Sequence, residues 1–288
     1  MAHEPGLRRG ALLMLASAFF FAAMGLAVKL ASRSLSNYAV VFFRNAVGLV
    51  TLLPWLGGLG VRGLATRDVR GHLIRSLAGL ASMYCFFYAI AHLRLADAVL
   101  LNYSLPLFMP FIARVWLREP IPHGLWRGLG LGFLGIALIL KPGMSLFNPI
   151  ALVALAAAML AALAQVGVRS LAGTEPTTRI VFYFSVISTV VSALPLFGAW
   201  RPPAPALWPV LVAMGTTATL GQLLLTRAYA SAPAAQVGPF IYAAVPFAAI
   251  LEGALLHQWL DAMSMVGAVL ICAAGILTLR TAPAATAP

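Results

Sequence analysis

The chain has 288 residues, of which 62% are hydrophobic and only 9% are charged. Water-soluble domains are about half apolar and about a quarter charged, so this chain has too little polar surface to cover a soluble globule. The composition excludes a soluble enzyme and a disordered chain, and it indicates a protein whose main solvent is lipid. The net charge of +12 does not indicate nucleic-acid binding, because no basic stripe with interleaved aromatic residues accompanies it. Cys85 and Cys272 both lie inside apolar runs, which excludes a disulfide framework and a cysteine-based metal site.

Apolar segments of about 20 residues follow one another along the chain and predict ten membrane-spanning helices. They occupy residues 10–31, 38–58, 73–91, 95–117, 124–140, 148–171, 178–200, 206–230, 234–256 and 261–279. The links between them are short and contain the glycines and prolines that are typical of turns. We therefore predict an all-α, polytopic membrane protein made of two five-helix units, residues 1–141 and residues 142–288.

The basic residues favour one orientation in the membrane. With the amino terminus in the cytoplasm, about twelve Lys and Arg residues fall at cytoplasmic ends of spans and about five at outer ends. Cytoplasmic loops of membrane proteins carry an excess of positive residues, so this distribution predicts that both termini face the cytoplasm.

The two units look like copies of each other. Shifting the chain by about 139 residues superposes the first five spans on the last five and aligns, for example, Tyr103 with Tyr242. Because a chain rich in Ala and Leu matches itself by chance, the charges are the stronger evidence. The link after span two has four arginines in or beside it, whereas its counterpart after span seven has only Arg201. Five spans is an odd number, so the second copy enters the membrane inverted, as this charge pattern predicts. The alternative is ten unrelated helices with a coincidental offset.

Prolines near the middle of spans four and nine predict interrupted helices at matching places in the two units. Span four contains Pro106 and Pro110, and span nine contains Pro239 and Pro246. A proline frees a backbone carbonyl and kinks the helix, and in lipid the freed group must face protein or a water-filled cavity. Inverted repeats enclose their substrate site near the bilayer midplane, so prolines at matching places in both units predict a cavity at this level. A kink that serves only helix packing is the alternative.

Polar and aromatic side chains at the same level are candidates for the lining of that cavity. An amide or phenol that faced lipid would lose its hydrogen bonds, so each is expected to point inward. Taken singly, each can instead satisfy a hydrogen bond between two helices. As a set they suit a mid-sized organic solute better than a bare ion. The candidates are Tyr84, Tyr88, Asn102, Tyr103, Gln165, Gln222 and Tyr242.

Two charged residues lie inside predicted spans at similar depths from the outer surface, Arg44 in span two and Glu252 in span nine. At that depth they can pair with each other or bind the carboxylate and ammonium groups of a zwitterion. A structural ion pair, or side chains that snorkel to the membrane surface, is the alternative. Glu252 is also the carboxylate best placed to carry a coupling proton.

The segment "SLPLFMPFIARVWLREP", followed by "GLGLGFLGIALIL", together with the ten-span plan and the duplicated unit, resembles the drug/metabolite transporter superfamily of the EamA type. The first copy has the loose motif as Pro106, Glu119 and Gly128. The second copy keeps Pro246 and Gly267 but has Gln258 in place of the acid.

The resemblance implies a transporter rather than an enzyme, in a bacterial inner membrane, with a small solute and the lipid bilayer as its partners. It implies no metal and no cofactor, and it leaves open whether the protein is a monomer or a homodimer. By similarity to bacterial exporters of aromatic amino acids, we expect export of amino acids or similar small metabolites by alternating access. Uptake of S-adenosylmethionine or nucleotide-like metabolites is the alternative. The absence of HExxH and of a Ser-His-acid set within the spans also argues against an intramembrane enzyme.

Overall fold

The computed structural model describes residues 4–56, 64–116, 118, 149–172, 174–198, 200, 202–231, 238–259 and 262–281, with isolated positions between 127 and 138. All regular elements in these ranges are helical. The α-helices are α1 (Glu4–Ala31), α2 (Asn37–Leu56), α3 (Val69–His92), α4 (Leu95–Asn102), α5 (Leu105–Trp116), α6 (Pro149–Ala172), α7 (Thr177–Ala193), α8 (Trp208–Ser231), α9 (Ala244–Leu256) and α10 (Ala262–Thr281). Short 3₁₀ segments cover Leu194–Leu196, Pro205–Leu207 and Gly238–Ala243.

Seven helices of the described chain are long and apolar enough to cross a membrane. They correspond to the predicted spans one to four and six to eight, and a shorter apolar helix, Phe240–Leu256, corresponds to span nine. The tenth predicted span coincides with α10. Most of span five lies outside the described residues. The all-helical membrane architecture is therefore confirmed, whereas the count of ten spans stays a prediction.

Helix packing follows a paired pattern. Helix α1 packs along α8, and α3 packs along α6. In the same way α2 packs on α8 and α7 on α3, while α1 contacts α9 and α6 contacts α4 and α5. If the two units are equivalent, α1 corresponds to α6, α2 to α7 and α3 to α8, so each of these contacts has its counterpart on exchange of the units. Two copies related by a two-fold axis would produce this pattern.

Span four is interrupted near its centre. Helix α4 ends at Asn102, and α5 begins at Leu105. The hydroxyl of Ser104 donates a hydrogen bond to the carbonyl oxygen of Leu101 at 2.5 Å, which satisfies one of the carbonyls left free at the end of α4. Pro106 stands in the first turn of α5, where proline is favoured because no helical hydrogen bond needs its nitrogen.

Span nine changes its helix type at the matching place. The 3₁₀ segment Gly238–Ala243, which contains Pro239, gives way to α9 at Ala244, about 139 residues after the interruption in span four. Pro246 stands in the first turn of α9 and is exposed. Pro110 differs from the other three prolines, because α5 continues through it without ending. A break of the hydrogen bonding at Pro110 therefore stays a prediction, because the helix does not end there.

Helices α2 and α8 approach each other through glycines. A Cβ atom on Gly215 of α8 would lie 2.5 Å from the Cβ of Val47 and 2.9 Å from the backbone nitrogen of Gly48. The Thr219 hydroxyl donates a hydrogen bond to the carbonyl oxygen of Gly48 at 3.0 Å. Small residues allow this close approach, which is the main way in which helices gain contact inside a membrane.

We expect Gly215→Ala to destabilise the protein, because the added methyl group meets backbone atoms that cannot move aside. The overpacking should cost about 1–3 kcal/mol, which exceeds the gain of about 0.5–1 kcal/mol from replacing a helical glycine with alanine. Melting of the purified protein in detergent measures the effect. Gly198→Ala is the matched control, because nothing lies within 4 Å of its Cβ position. Equal melting temperatures of the two variants would contradict the prediction.

Candidate functional site

A small cleft lies where α2, α7 and α8 meet, and its empty volume is about 340 Å³ when the space open to solvent is included. Its walls combine hydrogen-bonding groups and one cation with apolar side chains. The lining residues are Arg44, Asn45, Gly48, Leu52, Val181, Phe184, Ser185, Ala218, Thr219, Gln222 and Leu223. Such a mixture is typical of sites for small organic molecules.

Arg44 is the cation in this cleft. Its Nη1 donates a hydrogen bond to Oδ1 of Asn45 at 2.9 Å, and Nδ2 of Asn45 donates to the carbonyl oxygen of Val41 at 2.9 Å. The Nε of Arg44 is buried and has no hydrogen-bond partner. The guanidinium carbon lies 5.9 Å from the centre of the Phe184 ring. Arg44 is thus fixed by a neutral amide, and one of its donors is left unused.

A second buried arginine lies behind Phe184. The guanidinium carbon of Arg75 is 3.8 Å from the centre of the same ring, so the two cations are neighbours. Arg75 is only 6% exposed, and its Nε and Nη1 are buried without a hydrogen-bond partner. Sequence reasoning counted Arg75 with the arginines beside the link after span two, at the cytoplasmic end of span three. Helix α3 begins at Val69 instead of residue 73, because Asp68 caps it by accepting a hydrogen bond from the Gly71 nitrogen at 2.8 Å. That N-cap signal was present in the sequence and would have placed Arg75 about two turns into the helix instead of at its start.

Glu252 forms an ion pair with Lys29, which sequence reasoning placed at the outer end of span one. Glu252 is 1% exposed and Lys29 is 11% exposed. The Nζ of Lys29 also donates hydrogen bonds to the carbonyl oxygen of Leu93 at 2.9 Å and to Oε1 of Gln258 at 3.2 Å. The pairing of Glu252 with Arg44 that their similar depths suggested is therefore wrong. The last turn of α1 reaches Glu252 because α1 packs along α9.

A further contact lies beside this ion pair. Arg94 pairs with Asp97 through Nη2 and Oδ2 at 2.6 Å, and its Nη1 donates to the carbonyl oxygen of Trp259 at 3.2 Å. Lys29 and Arg94 belong to the first unit, whereas Glu252 and Trp259 belong to the second. This outer cluster (Lys29, Arg94, Asp97, Glu252 and Gln258) therefore joins the two units at one end of the bundle.

Another polar cluster joins the two units beside the N-terminal ends of α3 and α7. The Thr66 hydroxyl donates to Oε1 of Glu175 at 2.6 Å, Arg179 pairs with the other carboxylate oxygen, and the Tyr183 hydroxyl donates to the carbonyl oxygen of Leu64 at 3.1 Å. Burial acts to raise the pKa of Glu175, but the hydrogen bonds from Thr66 and Arg179 and the charge of Arg179 outweigh it, so this pKa lies below its ordinary value. This inner cluster (Thr66, Glu175, Arg179 and Tyr183) is therefore held by an ionised carboxylate at neutral pH.

Tyr103 and Tyr242, which sequence reasoning aligned across the repeat, contact each other. Their ring centroids are 6.4 Å apart in an edge-to-face arrangement, and each lies beside the interruption of its own span. Residues that are equivalent in two copies and also touch must lie close to the axis that relates the copies.

The other predicted lining residues are dispersed. Gln222 lines the cleft with Arg44. The hydroxyl of Tyr84 and Oδ1 of Asn102 are buried without hydrogen-bond partners. Tyr88 is 40% exposed with its ring against His92, and Gln165 is exposed, so the structure brings neither into the cleft nor into the tyrosine pair. The structure thus places Arg44 with Gln222, and Tyr103 with Tyr242, in two separate groups.

A bundle of apolar helices with two interrupted spans and buried polar groups between its units defines a polytopic membrane transporter. The EamA-like transporter family matches the chain twice, over residues 8–141 and residues 148–280, so the chain belongs to this family. The members that resemble it are transporters and not enzymes, in agreement with the sequence-based prediction.

Several curated transporters are similar to the chain over most of their length. It is 35% identical to a pseudopaline exporter of Pseudomonas aeruginosa over 280 residues, which cover 96% of the chain and 97% of the exporter. It is 29% identical to a riboflavin transporter of Vibrio cholerae, with 89% and 87% covered. It is 26% identical to an S-adenosylmethionine uptake transporter of Rickettsia bellii, with 85% and 84% covered. A solved crystal structure matches the fold with a TM-score of 0.67 at 18% identity, covering 94% of this chain and 97% of that one.

Replacing Lys29 with Met should lower the melting temperature by several degrees, because it removes the cation that Glu252 contacts in a buried site. Breaking a buried pair costs about 3–5 kcal/mol, whereas replacing both charges costs less. We therefore expect the double variant Lys29→Met, Glu252→Gln to recover a large part of the loss. Melting of the detergent-solubilised protein tests this, with Arg33→Met as the control, since Arg33 is exposed one turn away. The prediction fails if the double variant melts lower than Lys29→Met alone.

Proposed function

We propose that the protein is a secondary transporter of the bacterial inner membrane that exports amino acids or similar small metabolites by alternating access. The observation that carries this proposal is the 35% identity to a pseudopaline exporter over almost the whole of both chains. Export by the relative supports export here, and the chain offers both neutral hydrogen-bonding groups and a buried cation for a small polar solute.

Uptake of S-adenosylmethionine or a nucleotide-like metabolite is the second candidate. It is favoured by the S-adenosylmethionine uptake transporters of the family and by the riboflavin transporters, which are less similar to the chain than the exporter is. Buried tyrosines would suit the ring systems of such solutes as well as those of aromatic amino acids.

We further infer that residues 1–141 and 142–288 are two copies of one unit inserted with opposite orientations, with both termini in the cytoplasm. The double match of the family model and the paired helix contacts support two copies. The excess of positive residues on one side supports the orientation. Two such copies can rock about a shared site and open it to either side in turn.

We also propose that the solute passes the interrupted centres of spans four and nine. The contact between Tyr103 and Tyr242 supports this, as do the buried oxygens of Tyr84 and Asn102, which have no hydrogen-bond partner among the described residues. A buried polar atom without a partner is costly, so a solute or water that completes its hydrogen bonds is favoured at this level.

Transport by the purified protein in proteoliposomes tests the proposal. The panel contains labelled amino acids, pseudopaline, S-adenosylmethionine and riboflavin, each measured in both directions. We expect flux of an amino acid or of pseudopaline. Flux restricted to S-adenosylmethionine or riboflavin would favour the second candidate, and no flux of any amino acid or of pseudopaline would refute the first.

The tyrosine pair gives a more local prediction. Tyr103→Ala and Tyr242→Ala should each reduce the rate of transport about tenfold, because truncation removes ring contacts and a hydrogen-bonding hydroxyl at the proposed passage. Size-exclusion profiles and melting temperatures check that the variants stay folded. Phe197→Ala is the control, since Phe197 is 85% exposed. Unchanged uptake in both tyrosine variants would remove them from the passage.

Glu252 provides a test of ion coupling. If a proton on this carboxylate drives transport, Glu252→Gln should abolish the dependence of flux on an imposed pH gradient, because an amide cannot carry the proton. Comparison of flux with and without the gradient measures this in wild type and variant. A wild-type flux that does not respond to the gradient would indicate facilitated diffusion instead.

A further inference from the structure

Among the described residues, the buried Arg75 and the partly buried Arg44 have no counter-ion. Both guanidinium carbons lie within reach of one aromatic ring, Arg75 at 3.8 Å and Arg44 at 5.9 Å from the centre of Phe184. Among the described residues neither of them forms an ion pair. An aromatic ring offers a cation only a weak attraction, and two like charges on one ring repel each other strongly in a medium of low dielectric constant.

The carboxylates whose side chains the structure describes are all engaged elsewhere. Asp68 caps α3, Asp97 pairs with Arg94, Glu175 pairs with Arg179, and Glu252 pairs with Lys29. A chain that used Arg44 and Arg75 only for structure would gain stability by placing one of these acids between them. No carboxylate of the described residues is left to balance these two charges, which favours a counter-ion supplied by a bound solute.

The cleft beside Arg44 has the groups that a carboxylate needs. A guanidinium recognises a carboxylate through two parallel hydrogen bonds, and Nε of Arg44 is available for one of them. Ser185 and Gln222 line the same cleft and can donate the remaining hydrogen bonds, whereas the Thr219 hydroxyl already donates to Gly48. Leu52, Val181 and the Phe184 ring give the remaining wall an apolar character. The chemistry of the lining therefore suits an acidic head group that continues into an apolar body.

We propose that Arg44 binds the carboxylate of the transported solute in the cleft between α2, α7 and α8, and that Arg75 supports the binding as a second positive charge behind Phe184. This inference rests on the proposed function and narrows the solute to one that carries a free carboxylate. Arg44 touches the solute. Arg75 acts through the electrostatic potential of the cleft, so its charge matters more than its shape.

Binding of a simple carboxylate to the purified full-length protein tests the proposal without knowledge of the natural solute. Benzoate and benzamide share an apolar ring and differ in the carboxylate, and inorganic phosphate is a second anion. We expect benzoate to raise the melting temperature in a saturable way and benzamide to leave it unchanged. Equal shifts with both, or no shift with benzoate, would overturn the proposal. A shift with phosphate as large as with benzoate would overturn the assignment to carboxylates.

Variants separate the two arginines. Arg44→Gln should weaken benzoate binding about tenfold or more, because it removes a charge-assisted hydrogen bond. Arg75→Gln should weaken it too, whereas Arg75→Lys should keep most of the affinity, since it retains the charge. Arg114→Gln is the control, because Arg114 is exposed. Unaltered benzoate binding in Arg44→Gln, or equal losses in Arg75→Gln and Arg75→Lys, would refute the assigned roles.

Transport distinguishes a failure of this site from a failure of the proposed function. With an amino acid that the reconstituted protein carries, flux should fall for its methyl ester and for Arg44→Gln. Equal flux of the acid and the ester would refute the carboxylate site while leaving the transporter in place. Benzoate binding that depends on Arg44, together with no amino-acid flux, would keep the site and refute amino acids as the solute.

Discussion

The arrangement of the whole bundle depends on one constraint, which is that a charge inside a lipid-embedded protein must find its counter-charge within the protein or from a ligand. Lys29 and Glu252 meet this constraint across the two units, far apart in sequence and buried together. The contact joins the end of α1 to the end of α9 and draws the backbone carbonyl of Leu93 into the same network. Because removing one partner leaves the other unpaired in a medium of low dielectric constant, this pair constrains how the two units fit together.

The hydrogen bonds and ion pairs that charged side chains form between the units lie in two clusters, whereas Ser17, Ser82 and Thr219 bridge the units through neutral hydroxyls elsewhere. The outer cluster and the inner cluster each tie the first unit to the second, and between them lie the cleft and the tyrosine pair. In an alternating-access cycle the site opens to one side at a time, so the contacts on that side must separate while those on the other hold. Hydrogen bonds and ion pairs near the membrane surfaces suit this role, because water can replace them when they open.

The pairing of the charged groups agrees with two separate roles, contact between the units in the clusters and solute binding between them. The charges in the two clusters are paired, whereas Arg44 and Arg75 between them carry donors without partners. Stability alone would favour neutral side chains in place of Arg44 and Arg75. An unpaired cation away from water is costly, and a neutral side chain of similar size would pack as well. The unpaired charges of Arg44 and Arg75 therefore lie between the two paired clusters, where a bound solute can balance them.

The sequence by itself determined the class of the protein and most of the helices. The length of an apolar segment and the basic residues beside it are local properties, and they decide whether the segment inserts into lipid. It also placed the interruptions of spans four and nine and aligned Tyr103 with Tyr242, since a repeat carries equivalent positions along the chain. It could not determine which buried charges meet. The pairing of Lys29, rather than Arg44, with Glu252 depends on α1 lying against α9, and the burial of Arg75 against Phe184 depends on α3 lying against α7. Partner choice is a property of helix packing, so only the tertiary structure decided it.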